Sequence, residues 1–220
     1  MALVTSRVGA LTIARFPASW LRVVAPPSGA TGVEVIGNPA VAAVGSGPMY
    51  SESTGRPLYR MVDRASGVDL ASAYPARGGR IVVRGGVATA NGPEDGAEVV
   101  VQGYPLLVSN GAPASVLDDG TDSREALALF GDGSVGIVTF RATMPAFAAA
   151  LAAAGATFAI YLDGGGSTTL RTRDGLTIGG TRRLPALVAA IPPATNGNGA
   201  AWAALSLAAL AGAWWWSRRG

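Results

Sequence analysis

The sequence predicts a mixed α/β (α+β) fold: a strand-rich, mostly antiparallel or mixed sheet with a few packed helices and a C-terminal apolar helix. Three observations predict it. Short apolar runs recur between turns rich in glycine, which fills 31 of 220 positions. Within the body of the chain, the segment near residues 144–154 has clear helical spacing. Strands and helices do not alternate as they do in a doubly wound parallel sheet. With 49% hydrophobic and 14% charged residues, the chain has the means to bury one good core. The expected division is a domain over residues 1–190, a linker over 191–199 and an apolar helix over 200–217.

Taken in order, Leu11 to Phe16 and Leu21 to Val24 read as an opening strand pair, with a loop at Pro26-Pro27-Ser28-Gly29. The first residues lack the long apolar run of a signal peptide, so no export signal is expected there. Val33 to Ile36 and Ala40 to Val44 read as strands. The polar stretch from Gly45 to Gly79 reads as loop with little regular structure, a length that in compact domains tends to serve a lid or a binding site. Ile81 to Thr89 carries a hairpin signal around Gly85-Gly86. Glu98 to Gln102 and Tyr104 to Val108 continue the sheet. Ala126 to Phe130 and Val135 to Phe140 flank Gly131-Asp132-Gly133 too tightly for anything but antiparallel pairing.

Thr143 is placed to cap a helix from Met144 to about Ala154, with Pro145 in its first turn and Gly155 as its stop. Met144, Phe147 and Leu151 make its apolar stripe, which should pack on the sheet. Phe158 to Leu162 then reads as a buried strand. Thr168 to Arg173 and Leu176 to Ile178 form a further hairpin around Asp174-Gly175. Ala200 to Trp216 is an uncharged run of 17 residues, ending in three tryptophans before Arg218-Arg219. That is the lower end of the about 17 to 25 residues a spanning helix needs, with interfacial anchors in place, so a membrane segment is expected, its orientation open. The competing reading is an alanine-rich helix docked on the domain or on an oligomer partner. A virion-associated or soluble protein is the alternative location.

Composition excludes several chemistries. There is no histidine and no cysteine, which removes imidazole acid-base chemistry, thiolate nucleophiles, disulfides and the usual transition-metal ligands. The 17 basic residues are all arginines, scattered singly without interleaved aromatics, so a net charge of +3 does not imply nucleic acid as a partner.

The stretch Leu162-Asp163-Gly164-Gly165-Gly166-Ser167-Thr168-Thr169 concentrates the chemistry. A strand delivers one carboxylate onto glycines whose amides a ligand can approach closely, followed by hydroxyl donors. Such a set suits a sugar or a phosphate, and the alternative is a plain turn in which Asp163 satisfies local amides. Neither a Walker loop nor a Rossmann fingerprint is present. Asp118, Asp119 and Asp122 cluster in a polar loop whose oxygens would suit calcium or simply be solvated; no metal or other cofactor is expected.

The Leu162–Thr169 stretch resembles the signature of the phosphodiester glycosidase domain family, which has lysosomal, bacterial and phage members. Supporting segments lie upstream in the family's order: Gly103-Tyr104-Pro105-Leu106-Leu107-Val108-Ser109-Asn110-Gly111, then Arg124 and the hairpin at Gly131-Asp132-Gly133. The chain departs from the family where Ala43 to Tyr50 replaces an asparagine-containing early element, and where Asp122-Ser123-Arg124-Glu125 lacks a histidine. The resemblance implies hydrolysis of a sugar-1-phosphodiester, with a sugar-phosphate or glycan as the partner. Asp163 is then the expected catalytic carboxylate, stabilising an oxocarbenium-like centre or activating water. Arg124 is expected to pair with the phosphate, or else to form a structural ion pair with Asp118, Asp119 or Asp122. Glu125 is the favoured second carboxylate among Glu52, Glu94, Asp95, Asp122 and Glu125. Ser109, Asn110, Gly164, Gly165, Gly166, Ser167 and Thr168 are the expected substrate-binding residues. A non-catalytic carbohydrate-binding, virion or membrane-associated structural module of the same fold is the alternative.

Overall fold

The structure, a computed structural model, describes residues 2–193. The proposed 200–217 helix and most of the linker before it lie outside the described residues. Among the described residues no helix is long and apolar enough to cross a membrane.

In chain order the first strands are β1 (Val4–Val8), β2 (Leu11–Pro17), β3 (Leu21–Val24), β4 (Ala43–Ser46), β5 (Met61–Asp63), β6 (Val68–Leu70), β7 (Gly79–Arg84) and β8 (Val87–Ala90). There follow β9 (Val99–Gly103), β10 (Leu106–Ser109), β11 (Ala112–Pro113), β12 (Asp122–Phe130) and β13 (Ser134–Ala142). The last are β14 (Ala156–Tyr161), β15 (Thr169–Thr172), β16 (Thr177–Gly179) and β17 (Leu187–Ala190). Two helices join them, α1 (Gly32–Ile36) and α2 (Met144–Ala153).

The strands form three sheets, a seven-stranded one ordered β1-β2-β13-β12-β14-β10-β11 and two of five strands, β16-β15-β4-β17-β3 and β6-β5-β9-β7-β8. Each ladder between named strands is antiparallel. Alternation along each strand decides the packing. Leu127, Ile137 and Ile160 of the first sheet, Val23 and Val188 of the second, and Met61 and Ile81 of the third meet in one core. The opposite face of the first sheet, with Ala126, Ala128 and Phe130, is covered by Phe147 and Leu151 of α2. The outer face of the second, with Val44 and Leu187, is covered by Val35 of α1.

The helix α2 forms as its residues dictate. The Thr143 hydroxyl accepts from Ala146 N–H, Pro145 sits in the first turn, and Met144, Phe147, Ala148 and Leu151 are buried. Four expectations need correction. Val33 to Ile36 is helix, not strand, because Thr31 and Glu34 form a reciprocal capping box: the Thr31 hydroxyl accepts from Glu34 N–H and the Glu34 carboxylate from Thr31 N–H. The Thr-x-x-Glu spacing carried this information; the β-branched residues pointed the other way.

Likewise, β2 and β3 are strands but not partners. A short 3-10 turn at Ala18–Trp20 carries the chain out of one sheet, where β2 joins β1 and β13, into another, where β3 joins β17. The stretch read as loop from Gly45 to Gly79 contains β5 and β6, so its parts outside strands reduce to residues 47–60, the turn at 64–67 and residues 71–78. Strands β9 and β10 also part company, β9 lying between β5 and β7 in the third sheet while β10 joins β14 in the first.

Candidate active site

Asp163 stands where two sheets meet. Strand β14 lies between β12 and β10, and its ladder runs one residue further, Leu162 N–H donating to Glu125 O at 2.9 Å. The next residue leaves that sheet for the second. Asp163 N–H donates to Gly47 O at 2.8 Å, and the Ser46 hydroxyl donates back to Asp163 O at 2.8 Å. Ser46 ends β4 and Gly47 follows it, within the run that replaces the resembling family's early element. The departure from the family pattern is therefore a wall of the site.

The glycines have distinct jobs. A Cβ on Gly164 would collide with the Tyr161 hydroxyl, and Gly165 has φ +56°, in the left-handed region. Gly166 is exposed and meets nothing. A 3-10 turn at Gly165–Ser167 follows, in which Ser167 and Thr168 N–H donate to Gly164 O and Gly165 O. Ser167 and Thr168 are buried, and the Thr168 hydroxyl donates to Ser123 O at 3.2 Å. Those two amides are spent inside the turn, while the Ser167 hydroxyl and the Gly164 amide favour the ionised form of the Asp163 carboxyl. Burial raises the Asp163 carboxyl above the ordinary carboxylate range; Ser167, the Arg182 guanidinium and Gly164 pull it back, and Glu52 pushes it up again.

Glu125 lies beneath this turn, wholly buried. Its carboxylate oxygens accept from Ser46 N–H at 2.7 Å and from Thr169 N–H at 2.8 Å. It thus pins the end of β4 and the start of β15 to β12. Burial dominates its ionisation and, with Asp163 adding to it, takes its pKa up to about 8 against two opposing backbone amides.

Arg124, the preceding residue, points to the other face of the sheet, as alternation requires. Its side chain is 8% exposed and pairs with Asp118 at 2.9 Å. The guanidinium also donates to Gly120 O at 2.6 Å and Ala142 O at 3.2 Å, and the Tyr161 hydroxyl stabilises its charge. The structural ion pair is the reading this geometry favours. Arg124 and Tyr161 floor a cleft of about 690 Å³ that Met49, Tyr104 and Leu106 also line. Asp163 is not among its walls.

Ser109 and Asn110 are not brought to Asp163. Asn110, at φ 51°, and Gly111, at φ 77°, form the tight β10–β11 turn, and Ser109 pairs with Phe158. Five residues of extended chain, about 16 Å, separate Phe158 from Asp163. Of the other acids, Glu94 is bound to Arg60 and Arg80 in the third sheet. Asp118, Asp119 and Asp122 do not gather as ligands: among the described residues no group of three acids is arranged to hold a metal ion.

Glu52 does reach the site, and so does a residue that sequence reasoning passed over. Arg182 pairs with Glu52 at 2.6 Å and lies over the Tyr50 ring at 5.6 Å. Nothing in its local sequence, Gly-Gly-Thr-Arg-Arg after the last hairpin, ties it to a carboxylate nineteen positions earlier.

The phosphodiester glycosidase family model matches residues 38–189, which takes in the end of β4, Glu125, Asp163 and Arg182. The chain belongs to the phosphodiester glycosidase family. The catalytic domain of zebrafish N-acetylglucosamine-1-phosphodiester alpha-N-acetylglucosaminidase, auto-inhibited by its pro-peptide, shares this fold: TM-score 0.68, 15% identity, 86% of this chain and 81% of that one. A hypothetical protein from Synechocystis aligns with TM-score 0.54 and 14% identity over 85% of this chain and 61% of its own. At such identities the likeness is one of fold. No curated protein sequence matches this phosphodiester glycosidase domain.

Proposed function

We propose that the chain hydrolyses a sugar-1-phosphodiester, breaking the bond between the anomeric carbon and the phosphate oxygen and releasing the sugar and a phosphomonoester. The observation that carries this reading is the Asp163 carboxylate, partly buried at the seam of two sheets where its backbone is tied to Ser46 and Gly47, in a chain of the phosphodiester glycosidase family. A phosphate monoester leaves without strong protonation, so the chemistry needs chiefly a carboxylate beside the anomeric centre. Asp163 stabilises positive charge as the bond breaks and takes a proton from the attacking water. Its raised pKa suits a base working near neutral pH, since a stronger base takes the proton more readily.

Glu125 has a supporting part in this scheme: both its oxygens are occupied by amides, and it holds the loop ends that frame Asp163. The test is turnover of a panel of nucleoside-diphosphate sugars and simpler sugar-1-phosphodiesters by the parent and by Asp163→Asn, with melting temperature as the control for folding. The variant is expected to lose roughly 100-fold or more. Equal turnover in the two proteins, or none in the parent on any substrate, would sink the reading.

A further inference from the structure

We propose that Arg182, rather than Arg124, is the cation that receives the substrate phosphate beside Asp163; this rests on the phosphodiester reading above. Placement is the first ground. Gly180 N–H donates to Thr168 O at 3.2 Å, so the segment carrying Arg182 runs against the turn that follows Asp163. On the other side Asp163 N–H holds Gly47 O, and the chain runs on from Gly47 through Tyr50 to Glu52. The Arg182 guanidinium, 2.6 Å from Glu52 and 5.6 Å from the Tyr50 ring centre, joins the two segments that bracket Asp163.

Availability is the second ground. The Arg182 and Glu52 side chains are 45% and 78% exposed. Exposed pairs of this kind shift an equilibrium by roughly fivefold at most, so an incoming anion displaces Glu52 at little cost. A phosphodiester carries one negative charge, as Glu52 does, and offers the guanidinium two oxygens for its planar fork. The exchange is neutral in charge. Arg124 is less free: its side chain is 8% exposed, its Nε donates to Ala142 O and its Nη2 is held by Gly120 O and Asp118, on the far face of the sheet.

Charge compensation is the third. A phosphodiester arriving beside an ionised carboxylate requires a cation between them, and Arg182 is the guanidinium whose field acts on the Asp163 carboxyl against burial. Glu52 then acts as an internal stand-in for the substrate anion. It occupies the guanidinium until phosphate arrives.

The experiment is calorimetric titration of inorganic phosphate and glucose 1-phosphate into the full chain and its Arg182→Gln, Arg182→Lys and Glu52→Gln variants, alongside turnover of the phosphodiester panel. Arg182→Gln is expected to weaken binding by roughly tenfold or more with an unchanged melting temperature, and Arg182→Lys to fall between it and the parent. Removing the competitor in Glu52→Gln is expected to tighten binding by up to about fivefold. Equal affinity in parent and Arg182→Gln overturns the proposal, as does a parent that binds neither anion. Anion binding that depends on Arg182 in a chain without turnover on any phosphodiester would keep this site and defeat the hydrolase reading. Turnover insensitive to Arg182→Gln would do the reverse.

Discussion

Two regions meet at Tyr161 and differ in kind. On one side lies the cleft of about 690 Å³ floored by Arg124 and Tyr161; on the other lies the narrow seam that holds Asp163, with Glu125 beneath it and Arg182 and Glu52 above. The cleft is large, yet its guanidinium is already paired with Asp118 and bonded to two backbone carbonyls. At the seam a carboxylate is held under partial burial beside a guanidinium whose partner is exposed. Volume marks one region, perturbed ionisation and an available cation the other. The proposed chemistry follows the second pair of attributes, because an ion already paired in a buried site has little left to give a ligand.

The comparison breaks most readily at Asp163. If the seam is the reactive region, Asp163→Asn lowers kcat by roughly 100-fold or more with the fold intact. Enlarging or filling the cleft, as in Met49→Ala, leaves kcat near that of the parent; a larger kcat loss in Met49→Ala than in Asp163→Asn would reverse the assignment.

Glycine substitutions come next. Gly164→Ala forces a methyl into the Tyr161 hydroxyl, and urea unfolding should show a loss of about 2 to 4 kcal/mol. Gly166→Ala, facing open space, should shift stability by about 0.5 kcal/mol or less.

The two arginines sharpen the contrast further. Arg124→Gln leaves an ion pair and buried carbonyls without their donor and should cost about 2 to 4 kcal/mol in chemical denaturation, with KM for the phosphodiester unchanged in the folded protein. Arg182→Gln should move KM and leave stability alone. A swap of these two phenotypes would exchange the regions' roles.

Glu125 gives a pH signature. Its folded pKa, at about 8, lies above the 4.5 of an ordinary glutamate. Between those values the unfolded chain binds fewer protons than the folded one, so rising pH favours unfolding. The Glu125 contribution is fully present below about pH 4.5 and is lost as pH rises through 8. Denaturation midpoints measured from pH 5 to 9 should therefore fall more steeply in the parent than in Glu125→Gln. Parallel curves would refute the shift. The smallest effect expected is Tyr161→Phe, which removes one hydroxyl from Arg124 and should cost about 1 kcal/mol with little change in kcat.

Much of the scaffold was legible in the chain. The Gly85-Gly86 and Asp174-Gly175 hairpins, the pairing of β12 with β13 and the Thr143-capped helix all rest on local signals, and all are present. What was not legible is non-local. No local signal shows that β2 and β3 belong to different sheets, since both are short apolar strands and only the finished pairing separates them. The Thr31–Glu34 capping box was readable, but β-branched valines outweighed it in the strand reading. At the site, Asp163 and its glycines announced themselves through composition. Adjacency in sequence misled for Arg124 and Glu125, because a strand sends neighbours to opposite faces and only Glu125 turns toward Asp163. Arg182 was out of reach because its relation to Asp163 exists only once β15 and β16 have folded back.

The pair of bonds that Asp163 makes with the end of β4 has one more consequence. Asp163 N–H to Gly47 O, and the Ser46 hydroxyl to Asp163 O, tie together positions more than a hundred residues apart. Such a closure comes late, because a long stretch of intervening chain must be ordered before it forms. On the proposed function, a nascent or partly opened chain carries all the reactive groups and no working arrangement of them. The Asp163 amide is in effect a clock for assembly: its deuterium uptake should track recovery of turnover during refolding, while the amides of β12 and β13 become protected earlier.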